Sequence, residues 1–196
     1  YTRKEAREKL GFADDKPLVL SVWGSLGAEV MNRQMAQCIA LECRDGAPFR
    51  HIHGAGRDYH AVVEELRDSG VEKFPEIDVR EYIYDMPLVM AAADLVLCRA
   101  GASTIAELTA IAKPCILVPS PNVTNNHQEK NARVLEQHGA AVVLLEPEID
   151  GKRLYGTAKE LLADRDRLTA MSKSLTELSV TAASEEIYQT LIALLK

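Results

Sequence analysis

The sequence predicts a doubly wound α/β fold built on a six-stranded parallel sheet, and three observations carry the prediction. Apolar β-branched runs bounded by turn residues alternate with stretches of helical period along almost the whole chain. Six such runs, separated by crossover helices, make a parallel sheet covered on both faces. No internal repeat, low-complexity tract or change of composition divides the 196 residues, a length that suits one well-buried domain and is short for two.

The elements follow in order. Thr2-x-x-Glu5 is a capping box, charged helix runs on to Leu10, and Gly11 stops it. This helix precedes the first strand, so residues 1–15 read as a connector. Its opening directly onto the domain of residues 16–196 suggests a chain cut from a longer protein. Strands are expected over 18–23, 49–53, 78–82, 95–98, 115–118 and 141–145. The helices between them are expected over 28–42, 58–68, 87–92, 103–111 and 126–138, with helix-rich sequence from 151 to 195.

Composition removes several functions. The 23 Lys+Arg against 29 Asp+Glu give a formal charge of −6 and a pI near 5.4, which leaves no global positive field for nucleic acid. No stretch approaches the ~20 apolar residues that span a bilayer, and the charged N-terminus is a helix start, not a signal sequence. Cys38, Cys43, Cys98 and Cys115 lie in apolar segments without metal-ligand spacing, which favours buried free thiols in a reducing cytoplasm.

Ligands of such sheets bind beyond the carboxyl ends of the strands, so the loops after the strands are the places to search. Gly24-Ser25-Leu26-Gly27-Ala28 follows the first strand; its glycines let the backbone turn tightly, Ser25 offers a hydroxyl, and the helix start offers N–H groups to an anion. It is neither GxGxxG nor GxxxxGK[ST] nor GxSxG, which excludes a dinucleotide fingerprint and a P-loop and makes Ser25 a poor nucleophile. Arg99-Ala100-Gly101-Ala102-Ser103-Thr104 after the fourth strand forms a cradle of small residues suited to a diphosphate. One helical turn on, Glu107 is placed to accept two hydrogen bonds from a vicinal diol such as a ribose. The alternative makes Ser103 or Thr104 with Glu107 a capping arrangement.

The loop from Pro119 to Asn131 is dense in amides, hydroxyls and an imidazole, a set that suits the hydroxyl-rich face of a sugar; the alternative is a solvated loop with an N-cap at Asn125 or Asn126. Glu81-Tyr82-Ile83-Tyr84 ends the third strand as an aromatic-flanked backbone edge able to hydrogen-bond a pyrimidine, or as core packing. His51-x-His53 lacks a third ligand of suitable spacing and reads as a pair of core histidines more readily than as a metal site. Asp164-Arg165-Asp166 has a DxD form but lies between helical patterns, where a capping junction accounts for it.

GSLGA at 24–28, RAGASTIAEL at 99–108, KPCILVPSP at 113–121 and NNHQEKNARVLEQHGAA at 125–141 together resemble glycosyltransferase family 28 from about residue 5 to the end of the chain. The resemblance implies the Rossmann-like C-terminal half of a GT-B glycosyltransferase, the half that holds UDP-GlcNAc, with the acceptor domain absent from this chain. It places Ser25, Gly27 and the amides of Ala102, Ser103 and Thr104 at the diphosphate, and Glu107 at the ribose diol. The Ile83 backbone falls at the uracil with Tyr82 beside it, and His127 and Gln128 at the GlcNAc hydroxyls.

The reaction implied is inverting transfer of GlcNAc to a lipid-linked peptidoglycan precursor, with no cofactor, no required metal and no covalent sugar–enzyme intermediate. The resemblance further implies a cytoplasmic protein, peripheral at the inner face of the cell membrane in its full-length form. Trp23, Leu26 and Glu29 depart from the family pattern, which often has Gly, Gln and Arg at these positions. Because the acceptor-side base belongs to the other domain, no catalytic base is assigned here, and this half alone is expected to bind donor without transfer. Two other assemblies fit the same residues: a catalytic subunit that pairs with a separate membrane-anchored chain, and a nucleotide-sugar binding module without transfer.

Overall fold

The computed structural model describes residues 1–24, 28–179 and 183–194. The chain opens with α1 (Arg3–Lys9), where Thr2 Oγ1 accepts from the Glu5 N–H and Glu5 reaches back to the Thr2 N–H, so the capping box forms as its sequence predicts. Gly11 follows at φ +74°, a left-handed turn that glycine adopts without strain. The helix then lies down on the domain: Ala6 is fully buried, and Arg7 donates to the carbonyls of Asp14 and Lys16.

Six strands alternate with helices in the expected order. They are β1 (Leu18–Val22), β2 (Arg50–Gly54), β3 (Ile77–Arg80), β4 (Leu95–Cys98), β5 (Cys115–Leu117) and β6 (Ala141–Val143). The intervening helices are α2 (Glu29–Arg44), α3 (Tyr59–Leu66), α4 (Met86–Ala92), α5 (Ala102–Ala110) and α6 (His127–Gln137). After β6 come α7 (Gly151–Ala163), α8 (Arg165–Leu178) and α9 (Ala183–Leu194).

All pairings are parallel, in the order β3-β2-β1-β4-β5-β6. The chain winds outward from β1 to β3, returns to place β4 beside β1, and winds outward the other way. The β1/β4 junction is thus the topological switch point, where such sheets open a crevice at their carboxyl ends. Val22 pairs with Gly54 on one side and Cys98 on the other, so three strands end level at that edge. The first strand stops one residue short of expectation because its ladder ends with these partners and Gly24 turns the chain at φ +95°.

Alternation sorts the strands onto two cores. Val19, Leu95, Leu97, Ile116 and Val118 face α2, α3 and α7, where Met31, Met35, Ile39, Leu154 and Leu161 cover them. Leu18, Leu20, Ile52, Val96, Cys115 and Leu117 face α1, α4, α5 and α6. With both faces covered, β1, β4, β5 and β6 read as near-continuous apolar runs. Asp164 caps α8 by accepting from the Arg167 N–H, so the DxD triplet is a helix junction. The four cysteines are buried and free.

Candidate functional site

The switch-point edge opens into a cavity of about 390 Å³. Leu20, Val22, Met86, Met90, Val96 and Cys98 form its apolar floor. Trp23, Gly24, Gly54 and Gly56 follow β1 and β2 at one wall; Arg99, Gly101, Thr104 and Glu107 supply the wall after β4, and Glu81, Tyr82, Ile83 and Gln128 complete the rim. The site thus draws on the loops after β1, β2, β3, β4 and β5, which the fold carries to one end of the sheet.

The N-terminus of α5 faces this space without a cap. Gly101 stands at the N-cap position, no side chain among the described residues accepts from the first turn, and the first helical bond runs from the Ile105 N–H to the Gly101 carbonyl. Ser103 and Thr104 with Glu107 therefore do not form the capping arrangement that the sequence also allows. The backbone N–H groups of Ala102, Ser103 and Thr104 have no partner among the described residues and can meet an anion, aided by the positive end of the helix dipole. Glu107 sits one turn in, exposed at the cavity wall. Beneath it, burial pushes the Cys98 thiol well above its ordinary value, with Cys115 and Glu107 adding to the effect, so Cys98 is a neutral apolar wall.

Ile83 shows how the opposite wall is set. Its side chain is buried among β1, β2 and α4, while its N–H joins no backbone hydrogen bond among the described residues. A Cβ on Gly54 would come within 3.2 Å of both Ile83 Cδ1 and Val22 Cγ1. The glycine at the end of β2 lets the Ile83 side chain sink in at the cavity rim. Tyr82 is half-exposed beside it, its ring 5.0 Å from that of Tyr84 in an edge-to-face pair.

On the β5 side, Gln128 Oε1 accepts from the Ser120 N–H at 2.9 Å, which fixes the side chain and frees its amide NH₂. His127 donates from Nδ1 to the Thr124 carbonyl, keeps Nε2 free, and stands outside the cavity lining. The alternative reading, an asparagine side-chain cap, is not realised: Asn125 and Asn126 both take left-handed conformations, and Asn126, at the N-cap position of α6, donates its amide to Glu129. Of the sequence candidates, Tyr82, Ile83, Thr104, Glu107 and Gln128 meet around one cavity. Ala102 and Ser103 lie at its edge on the first turn of α5, and Ser25 and Gly27 lie outside the described residues.

The sequence reading missed the Met86/Met90 floor and the part played by Gly54, whose only signal was a Gly-x-Gly after strand two. Arg99, which opens the cradle, is anchored by the Val118 carbonyl and paired with Glu146 at 2.5 Å, a partner the sequence reading did not name. Glu29 pairs with Arg33 across one turn of α2.

A sheet in 3-2-1-4-5-6 order, with a cavity at its switch point and an uncapped helix start at its wall, defines a GT-B-like Rossmann domain. The chain belongs to the glycosyltransferase family 28 C-terminal domain family, whose profile matches residues 18–187. It is 44% identical over 196 residues to the UDP-N-acetylglucosamine–N-acetylmuramyl-(pentapeptide) pyrophosphoryl-undecaprenol N-acetylglucosamine transferase of Acetivibrio thermocellus, covering 100% of this chain and 52% of that protein. The enzyme of the same name from Caldanaerobacter subterraneus is 42% identical over 187 residues, covering 95% of this chain and 51% of that protein. Among solved structures, MurG of Acinetobacter baumannii superposes with a TM-score of 0.78 at 26% identity, over 97% of this chain and 52% of that one. The chain therefore spans about half the length of the relatives it matches.

Proposed function

We propose that this chain is the donor-binding half of an inverting N-acetylglucosaminyltransferase that takes UDP-GlcNAc as donor and a lipid-linked peptidoglycan precursor as acceptor. The observation that carries the reading is the uncapped α5 N-terminus one turn from Glu107, at the wall of the switch-point cavity. Free N–H groups of Ala102, Ser103 and Thr104 receive the diphosphate, and Glu107 accepts from the ribose hydroxyls. The Ile83 peptide edge reads the uracil beside Tyr82, while Gln128 and His127 meet the sugar. Ser25 and Gly27 complete the diphosphate site.

In the reaction, the bond between the sugar C1 and the phosphate oxygen breaks as C1 joins the acceptor hydroxyl oxygen. Negative charge then gathers on UDP at the helix N-terminus, a preorganised dipole that needs no reorientation as the charge develops. The acceptor, the residue that takes its proton and the membrane contact belong to a second domain. On this reading residues 1–15 form the connector to it and residues 16–196 the donor domain. The place proposed for the whole protein is peripheral, at the cytoplasmic face of the membrane; among the described residues no helix is long and apolar enough to cross one.

Calorimetric titration of the chain with UDP-GlcNAc, UDP-glucose, UDP and NAD tests the reading. One site for the uridine ligands and none for NAD is expected, with UDP-GlcNAc bound more tightly than UDP-glucose. Binding of NAD in place of the uridine ligands, or of none of the four, overturns it.

A further inference from the structure

Two sides of α4 do different things. Val89 and Ala92 are fully buried against the core and do not line the cavity, whereas Met86 and Met90, one turn apart on the same side of the helix, both do. These methionines pack in the same core as Leu20, Val96 and Cys98 of the floor, with Val22 against them, so helix and strands close the cavity from one face of the sheet. Met90 is 7% exposed and Met86 is half-buried. The polar side chains of the cavity, Glu107 and Gln128 among them, come from the segments after the strands, while the floor is built by β1, β4 and α4 from apolar side chains and a neutral thiol.

Such a floor suits a surface without hydrogen-bonding groups, because desolvating an unpaired polar group is costly. In a nucleoside diphosphate sugar the ribose, the phosphates and the sugar ring carry polar groups on every side. The base carries them on its edge, and its faces are bare. We propose that Met86 and Met90 bind the nucleobase, their thioethers packing on its face while its edge meets the Ile83 peptide. The inference rests on the donor-site reading above and adds two residues to it. Sulfur in contact with an aromatic ring is favourable, and the unbranched methionine side chain adapts to the outline of the ring.

The chain's five methionines supply both the test and its controls, since Met31, Met35 and Met171 are buried in the core on the other face of the sheet. With ¹³C label in the methionine methyls, assigned through Met86→Leu and Met90→Leu, the resonances are followed during titration with UDP and UDP-GlcNAc while calorimetry measures occupancy. The Met86 and Met90 methyls are expected to shift in step with bound UDP and to show nuclear Overhauser contacts to the protons on C5 and C6 of the base. The three control methyls are expected to stay in place.

Met86→Ala is expected to weaken UDP about two- to tenfold, and Met86→Leu, which keeps an apolar surface, to weaken it less. Should the alanine variant not fold, the contacts in the wild type decide alone. UDP that saturates the site by calorimetry without contacts between the base protons and either methyl overturns the inference and leaves the donor-site reading standing. So does UDP-GlcNAc whose acetyl methyl, in place of its base, contacts them, or a folded Met86→Ala with wild-type affinity. Absence of calorimetric binding by both ligands removes the donor-site reading, and the inference with it.

Discussion

The hydroxyl of Ser21 lies 2.7 Å from Nε2 of His51, the central link of a hydrogen-bonded chain buried between the sheet and α2. His51 Nδ1–H donates to the Glu42 carboxylate at 2.9 Å, so Nε2 accepts from the Ser21 O–H, and Ser21 Oγ in turn accepts from His53 Nδ1–H at 2.7 Å. Cys38 donates its thiol to the same Glu42 carboxylate. The Ser21–His51–Glu42 geometry is that of a nucleophile, a base and an orienting acid, yet all three residues are at most 1% exposed. No substrate reaches Ser21, so the chain of bonds is structural.

Removing His51 is therefore expected to be costly. In His51→Leu the Glu42 carboxylate stays buried without its main partner, and breaking a buried pair in this way costs about 3–5 kcal/mol. The double variant Glu42→Leu/His51→Leu is expected to regain a large part of that loss. Urea unfolding of the three variants measures it; equal stability of the single and double variants contradicts the prediction.

His53 makes the fold sensitive to acid. Burial, with His51 beside it, lowers its pKa from 6.5 to about 3. The unfolded chain thus binds a proton between pH 6.5 and about 3 that the folded chain refuses. Stability supplied by the neutral ring is complete above pH 6.5 and is lost as pH falls toward 3, at about 1.4 kcal/mol per pH unit. Unfolding midpoints at pH 7, 6, 5 and 4 are expected to fall more steeply for the wild type than for His53→Leu. Parallel slopes would show that the ring is not held neutral.

Gly151 opens α7 where that helix meets α2. A Cβ there would stand 2.4 Å from Gln37 Cβ and 2.7 Å from the Cys38 nitrogen and the Gln34 carbonyl oxygen. Two of these are backbone atoms of a helix interior and cannot swing aside. Gly151→Ala is expected to cost about 1–3 kcal/mol, despite the better helix propensity of alanine, and to lower the melting temperature by several degrees. A melting temperature at or above the wild type refutes the close approach.

Much of this architecture was legible in the sequence because each strand carries its own boundaries. β4 was placed to the residue, as a run of Leu, Val, Leu and Cys between Asp94 and Arg99. Thr2 and Glu5 specify their helix start locally, and so does Asp164. The cavity was legible as loops, since the parallel topology must bring the loops after the strands together. Contacts between distant segments left no local trace: the fit of Ile83 over Gly54, the apolar floor of Met86 and Met90, and the joining of His51 and His53 through Ser21. The alternative reading of an N-cap at Asn125 or Asn126 is not realised for a physical reason, because asparagine favours both the N-cap and the left-handed conformation, and the loop uses the second.

The packing of Ile83 on Gly54 predicts a separation of binding from stability. In Gly54→Ala the new methyl presses on Ile83 Cδ1 and Val22 Cγ1 at 3.2 Å, side-chain tips that yield by a few tenths of an ångström. The fold is expected to lose about 1 kcal/mol or less, because the tips give way. The Ile83 peptide moves with its side chain, so UDP affinity is expected to fall several-fold. Calorimetry beside urea unfolding reads both; an unchanged affinity with reduced stability would show that the Ile83 edge does not meet the base.

Glu107 supplies the sharpest test of the ribose assignment, because it stands exposed on a helix whose first turn it does not cap. Truncation therefore leaves no cap broken and no charge buried, and Glu107→Ala is expected to unfold at the wild-type urea concentration. Two hydrogen bonds from a diol to a carboxylate are lost with it, an expected 1–3 kcal/mol or roughly 5- to 150-fold in the dissociation constant of UDP-GlcNAc. Glu107→Gln keeps one carbonyl acceptor and replaces the other oxygen by a donor, so its affinity should fall between the two. Titration with 2′-deoxy-UDP closes the argument: the wild type is expected to bind it more weakly than UDP, while Glu107→Ala binds the two alike. If Glu107→Ala still separates UDP from its deoxy analogue as the wild type does, the hydroxyls are read by another group.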